Sequence, residues 1–140
     1  KIKTIGDAYM CAGGLHTRET DNRHAYDSID AAIEIMKFVK DTTTNMKATY
    51  GNAFSFRIGI HTGNVVSGVV GSKKYAYDIW GDTVNIASRM ESSGEAGKVN
   101  ISESTYELVK DKFTCIHRGK IIAKGKGEID MYFVETEINL

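Results

Sequence analysis

Tyr77-Asp78-Ile79-Trp80-Gly81-Asp82-Thr83-Val84-Asn85-Ile86-Ala87-Ser88-Arg89-Met90 is the stretch from which the rest of the chain is best read. Its opening residues are aromatic and β-branched, as a strand prefers, and Gly81-Asp82 ends that pattern. A helical stretch follows from Thr83 to Ser92, with Asp82 placed to cap it. In such a helix Asn85 and Arg89 stand four residues apart and share one face. Two hydrogen-bonding groups one turn apart suit a ribose and a phosphoryl oxygen, and an ordinary exposed polar stripe has the same spacing. Asp78, at the strand end, suits a purine amine or is an ordinary edge residue.

Working outward, Val65 to Val70 is a short apolar run that Gly71-Ser72-Lys73-Lys74 turns into Tyr75–Ile79, which reads as a hairpin. Upstream, Phe54, Phe56, Ile58 and Ile60 alternate with Ser55, Arg57, Gly59 and His61, the pattern of a half-buried strand that Thr62-Gly63-Asn64 ends. From Asp21 to about Lys47, Ala25, Ile29, Ala32, Ile33, Met36 and Val39 recur at spacings of three and four, an amphipathic helix. The amino end reads strand, turn, strand: Lys1–Ile5, Gly6-Asp7, Ala8–Ala12. Because Lys1 already lies in a strand pattern, the domain is expected to continue upstream of it.

Downstream of the central stretch, Val99–Ile101 is a short strand and Ser102 caps a brief helix through Val109. Phe113 to Arg118 is extended, and Met131 to Val134 is the closing strand. There is no repeat, low-complexity tract or linker. The sum is one α+β domain over 1–140, its helices expected on one face of a mainly antiparallel sheet.

The 140 residues carry 18 Lys+Arg against 18 Asp+Glu, a formal net charge of zero at pH 7. That balance removes the general attraction a nucleic-acid or anionic-membrane binder carries, so a bound anion must be caught locally. Cys11 and Cys115 lack CxxC spacing and suggest neither a disulfide framework nor a zinc site, which fits a reducing compartment. No apolar run approaches the roughly 18 residues of a membrane span, and no signal peptide opens the chain. A soluble cytoplasmic domain is expected, with room for sensor or membrane domains outside these residues.

Three further features offer chemistry. Asp7 places a carboxylate at a hairpin tip with no cation in the turn, where Asp also simply favours turn geometry. Lys3, four residues earlier, would point to the same face of a continuous strand at roughly 13 Å, too far to share one small group. Lys124-Gly125-Lys126-Gly127 offers two ammonium groups on a glycine-rich loop, a weak phosphate motif without P-loop spacing. His61, with no second ligand at metal spacing, reads as structural or solvated.

Taken together and in order, Lys3–Met10, Phe56–Gly63, Tyr77–Met90 and Ile122–Gly127 resemble the class III adenylyl/guanylyl cyclase catalytic domain across essentially the whole chain. The resemblance implies a ferredoxin-like (βαββαβ-type) core that works as a dimer, with active sites shared between subunits and two Mg²⁺ or Mn²⁺ ions as cofactors. By the same resemblance Asp7 is a metal ligand, its partner aspartate lying on a first strand outside this chain. Lys3 matches the purine-selecting position and Asp78 its partner. Asn85 matches the ribose-positioning amide, Arg89 the transition-state arginine and Lys124 the triphosphate lysine. Asn64 falls where some members carry a basic phosphate contact.

The reaction implied is attack of a ribose 3′-oxygen on the α-phosphorus of the same nucleotide, expelling pyrophosphate. Lys3 and Asp78 favour ATP, giving an adenylate cyclase that acts as a homodimer; guanylate cyclase and a regulatory nucleotide-binding domain without turnover are the alternatives. A fragment lacking half its metal site is expected to be inactive alone. An RNA-binding ferredoxin-like domain fails on the neutral charge and the missing aromatic stacking pair.

Overall fold

The computed structural model describes residues 1–16, 21–51 and 55–136. In chain order the elements are β1 (Lys3–Ile5), β2 (Ala8–Met10), α1 (Arg23–Tyr50), β3 (Ile58–Ile60), β4 (Val66–Val70), β5 (Ala76–Trp80), α2 (Asp82–Ser92), β6 (Val99–Ser102), α3 (Glu103–Val109), β7 (Cys115–Ala123) and β8 (Gly127–Val134). A four-stranded sheet runs β3-β6-β8-β7, and the hairpins β1-β2 and β4-β5 form two further two-stranded sheets. β3 and β6 pair in parallel, whereas β6-β8 and β7-β8 are antiparallel.

Helix α1 buries Ala25, Ile29, Ala32 and Met36, the stripe that three- and four-residue spacing creates. It runs past Lys47 to Tyr50 and stops at Gly51, whose φ of 75° is the left-handed conformation in which glycine ends helices. Helix α2 begins one residue earlier than expected. Its N-cap is Gly81, at φ 124° and ψ 178°, and Asp82 is the first helical residue rather than the cap. The carboxy-terminal strands are longer than the pattern suggested, because a shift of register between His117 and Gly119 interrupts the alternation within β7. β7 and β8 form one long hairpin whose turn is Lys124-Gly125-Lys126. Of the expected Phe54–Ile60 strand, Ile58–Ile60 is formed, Phe56 is exposed and outside it, and Phe54 lies outside the described residues.

Register determines where the helices go, and it corrects the expectation that they share a face. Val99 and Ile101 of β6 join Val134 of β8, Val109 of α3 and the α1 stripe in one core cluster, with Ile58 and Ile60 of β3 packed against it. Asn100 and Gly59 are paired across β6 and β3 and point the other way, because side chains alternate along a strand. On that second side Ile86 and Met90 of α2 pack with Ala123 and Met131. The four-stranded sheet is therefore covered by α1 and α3 on one face and by α2 on the other.

The approach of α2 is close. A Cβ added at Gly59 would stand 2.0 Å from the Glu91 backbone nitrogen and 2.4 Å from the Met90 carbonyl carbon. Only a residue without a side chain lets this strand and helix lie backbone to backbone. Asn100, fully buried, reinforces the contact: its Nδ2 donates to the Met90 carbonyl at 2.8 Å. Arg57 Nε donates to Glu91 Oε1 at 2.6 Å just outside. Since neither backbone can yield cheaply, Gly59→Ala is expected to lower stability by about 3 kcal/mol or more in urea denaturation, the upper end of overpacking costs. Val69→Ala, at an exposed position, is expected to stay within about 0.5 kcal/mol.

Candidate active site

The β4-β5 pairing sets Asp78 directly opposite Gly68. No side chain therefore stands directly opposite the carboxylate on β4. Lys3, seventy-five residues away in sequence, crosses from β1 and donates from Nζ to Asp78 Oδ2 at 2.8 Å. Asp78 Oδ1 accepts from the Ile79 N–H at 2.8 Å. The hydrogen bond from Lys3, then the one from Ile79, hold the Asp78 carboxyl below its ordinary value of 3.8. It is therefore ionised at neutral pH, and the pairing persists above the ordinary carboxylate value and is lost as pH falls. Alternation places Val66, Val70 and Trp80 on the same face of the hairpin as Asp78, and all three are exposed, Val66 at 57%. The ammonium and carboxylate thus sit on an open, largely apolar surface.

β5 runs through Gly81 into α2, so Asp78 leads directly into the helix that bears Asn85 and Arg89. Both are exposed on α2, away from the buried Ile86 and Met90. Arg89 Nη1 donates to the Ile122 carbonyl at 2.8 Å, which ties the guanidinium to the β7 end of the turn bearing Lys124. Lys124 is exposed in that turn. Two local groupings result: Lys3 with Asp78 at one end of the β5-α2 unit, and Arg89 with the Lys124 turn beside the helix.

Asp7 occupies the β1-β2 turn after Gly6, whose φ of 59° is the left-handed conformation the turn requires. It is exposed and makes no ion pair with any described residue. Among the described residues no group of three or more His, Cys, Asp or Glu could hold a metal ion. One carboxylate does not make a cage for a hard cation, which takes six or more oxygen ligands, so these residues alone do not fit a complete metal site.

His61 is held by structure, in line with its reading from sequence. Its Nδ1 shares a hydrogen bond with Ser102 Oγ at 2.6 Å. Burial, with the charge of Lys126 adding to it, lowers its pKa below the ordinary 6.5. The side chain is thus neutral at pH 7, and whatever stability it adds is present above that ordinary value and lost on acidification. Asn64, the position of an occasional basic contact, offers its backbone carbonyl to Thr83 Oγ1 at 2.6 Å.

Residues 1–136 match the adenylate and guanylate cyclase catalytic domain family. The chain belongs to that family. It is 39% identical over 134 residues to an adenylate cyclase of Mycobacterium tuberculosis, covering 96% of this chain and 29% of the relative. It is 40% identical over 136 residues to a guanylate cyclase of Drosophila melanogaster, covering 96% of this chain and 11% of the relative. Among solved structures, the guanylate cyclase domain of RhGC from Catenaria anguillulae in complex with GTP superposes with a TM-score of 0.82. The two are 37% identical, and the match covers 96% of this chain and 71% of that one. The α+β cyclase core expected from the sequence is the observed fold. The chain spans under a third of the curated relatives it matches, and cyclases named for either purine stand at similar identity.

Four groups bearing on the site escaped the sequence reading. The Ile122 carbonyl carries no side-chain signal. Ser102 reads from sequence only as the cap of a brief helix, and Thr105 carries no signal of its own. Gly59 did carry a signal, a glycine inside a strand pattern, which commonly marks close approach of another backbone. Removing the donor at Lys3 is expected to return Asp78 toward its ordinary carboxylate range. An NMR titration of the Asp78 carboxyl in Lys3→Met checks this, and an unchanged midpoint would show that the ammonium does not set it.

Proposed function

We propose that this cyclase domain converts ATP to 3′,5′-cyclic AMP and pyrophosphate. The observation that carries the reading is the 2.8 Å pairing of Lys3 with Asp78. Adenine offers an acceptor at N1 and an amine donor at N6, so an ammonium beside a carboxylate complements it; guanine presents an acceptor at O6 and a donor at N1. By the family resemblance, guanylyl members typically carry Glu and Cys at these positions. An adenine edge would exchange the Lys3–Asp78 contact for one hydrogen bond to each group, keeping both charges partnered.

Along the rest of the nucleotide, Asn85 would hold the ribose so that its 3′-oxygen faces the α-phosphorus in line with the departing bridge oxygen. Arg89, a planar guanidinium donor, would meet the negative charge spread over the five-coordinate phosphorus. Lys124 would balance the charge gathering on pyrophosphate. The tie from Arg89 to the Ile122 carbonyl supports this division, because it keeps the guanidinium beside the Lys124 turn. Asp7 is this chain's candidate ligand for Mg²⁺ or Mn²⁺, with the remaining ligands supplied from elsewhere. The chemistry a divalent ion held there would supply is acidification of the 3′-hydroxyl and neutralisation of phosphate charge.

The exposed apolar face around Asp78 supports a homodimer. Val66, Val70 and Trp80 are exposed there and would leave water if a second copy covered them. Each nucleotide would then lie between copies, read by Lys3 and Asp78 of one and faced by Asp7 of the other. The presence of Asp7, Asn85 and Arg89 in one chain favours turnover over a purely regulatory domain, and cyclic AMP production with Mn²⁺ separates the two directly.

Arg89→Ala is expected to cut turnover at least about a hundredfold with a modest change in KM, the effect of losing one donor to a developing charge. A turnover number within twofold of wild type overturns the assignment. Lys3→Glu combined with Asp78→Cys is expected to shift the ratio of kcat/KM values toward GTP; a double variant that keeps the original ATP:GTP ratio refutes the base-reading pair.

A further inference from the structure

Helix α2 enters its first turn without a capping side chain. Its N-cap is Gly81, at φ 124° and ψ 178°, in a region of backbone space that is essentially glycine's alone. No side-chain hydrogen bond is made there. A glycine junction is the most permissive link a chain can have, so the placement of the first turn must come from elsewhere. What reaches it is the segment after β3. Thr83 Oγ1 donates to the Asn64 carbonyl at 2.6 Å. Gly63 lies so close that a Cβ there would stand 2.6 Å from Thr83 Oγ1.

That segment is itself anchored. His61 Nδ1 shares its hydrogen bond with Ser102 Oγ at 2.6 Å, and Thr62 Oγ1 shares one with Thr105 Oγ1 at 2.9 Å. Ser102 and Thr105 are fully buried, at the end of β6 and in the first turn of α3. Hydrogen bonds thus tie His61 and Thr62 to the end of β6 and to α3, the backbone of Thr62–Asn64 carries that anchorage on, and the Asn64 carbonyl passes it to Thr83. Two residues beyond Thr83 stands Asn85.

We propose that Thr83 is a positioning residue for turnover: braced by the His61–Asn64 turn, it holds the first turn of α2 so that Asn85 meets the ribose. This rests on the cyclase reading of Asn85 given above. The brace uses no residue assigned to the nucleotide, and it acts on the one end of α2 that lacks a cap. The far end is fixed independently, by the backbone contact at Gly59 and the Asn100 bond to Met90. Loosening Thr83 should therefore let the Asn85 end swing while the helix stays docked.

The test is a set of variants in the intact protein, assayed for cyclic AMP formation and thermal unfolding. Thr83→Val keeps the shape and removes the donor. It is expected to lower kcat about tenfold, since small misplacements of a reacting group cost that much or more, with KM for ATP within about twofold. Thr83→Ser, which restores the donor, is expected to recover kcat to within about twofold of wild type. Gly63→Ala pushes on the same contact from the other side and should reproduce the Thr83→Val signature, which keeps the test alive if Thr83→Val fails to fold. The readout that a merely structural threonine would not move is coupling: in an Asn85→Ala background, Thr83→Val should cost no further activity.

A Thr83→Val protein with wild-type kcat, a Thr83→Ser protein no better than Thr83→Val, or a full extra loss in the Asn85→Ala background overturns the positioning role. In each of these cases an impaired Asn85→Ala leaves the cyclase reading intact. Wild-type kcat in Asn85→Ala instead overturns the ribose assignment, and this role with it.

Discussion

Where β3 meets α2 there is no layer of side chains. Gly59 lets the strand backbone reach the backbone of Met90 and Glu91, at a distance where any Cβ would collide. Packing in a protein interior is close enough that such a contact sets a position rather than a preference. It determines how far α2 stands from the sheet, hence where the exposed face of α2, with Asn85 and Arg89, lies relative to the β7-β8 hairpin. At that separation Arg89 Nη1 reaches the Ile122 carbonyl. Asn100 serves the same end from within the sheet, its buried Nδ2 donating to the Met90 carbonyl.

The chain places chemistry on thin, exposed pieces and rigidity behind them. Both two-stranded hairpins expose large apolar residues, among them Ile5 and Tyr9 on the first and Val66, Val69 and Trp80 on the second. The four-stranded sheet has helices on both faces, and its β6 strand is buried along its whole length. The Lys3–Asp78 pair links the two hairpins. A half-exposed pair of this kind adds little to stability, because water and salt still screen it. Its value is geometric: it brings a donor and an acceptor together on a surface with Gly68 rather than a bulky side chain opposite. The charges balance locally as they do over the whole chain.

Local patterns were enough for some elements and not for others. The α1 stripe, the β4-β5 hairpin, the β1-β2 turn and the helix after Gly81 follow from spacing, because each depends on neighbours within a few residues. The β7-β8 hairpin did not, since a register shift after His117 breaks the alternation that marks a strand. Asp82 looked like a cap because Asp favours that position; Gly81 took it instead, and Thr83 found its partner nineteen residues upstream at Asn64. Alternation in Ile58-Gly59-Ile60 predicted one buried and one open face, but α2 covers the second, which a period of two cannot reveal.

From sequence alone came the family, the candidate residues and the class of each element, because these reside in residue identity and short-range spacing. Tertiary structure alone decided that Lys3 lies against Asp78, that Arg89 reaches the Ile122 carbonyl and that the helices divide between two faces of the sheet. Those outcomes turn on strand register and on the approach of one backbone to another. Both are set by the simultaneous packing of segments tens of residues apart, and no local pattern carries that information.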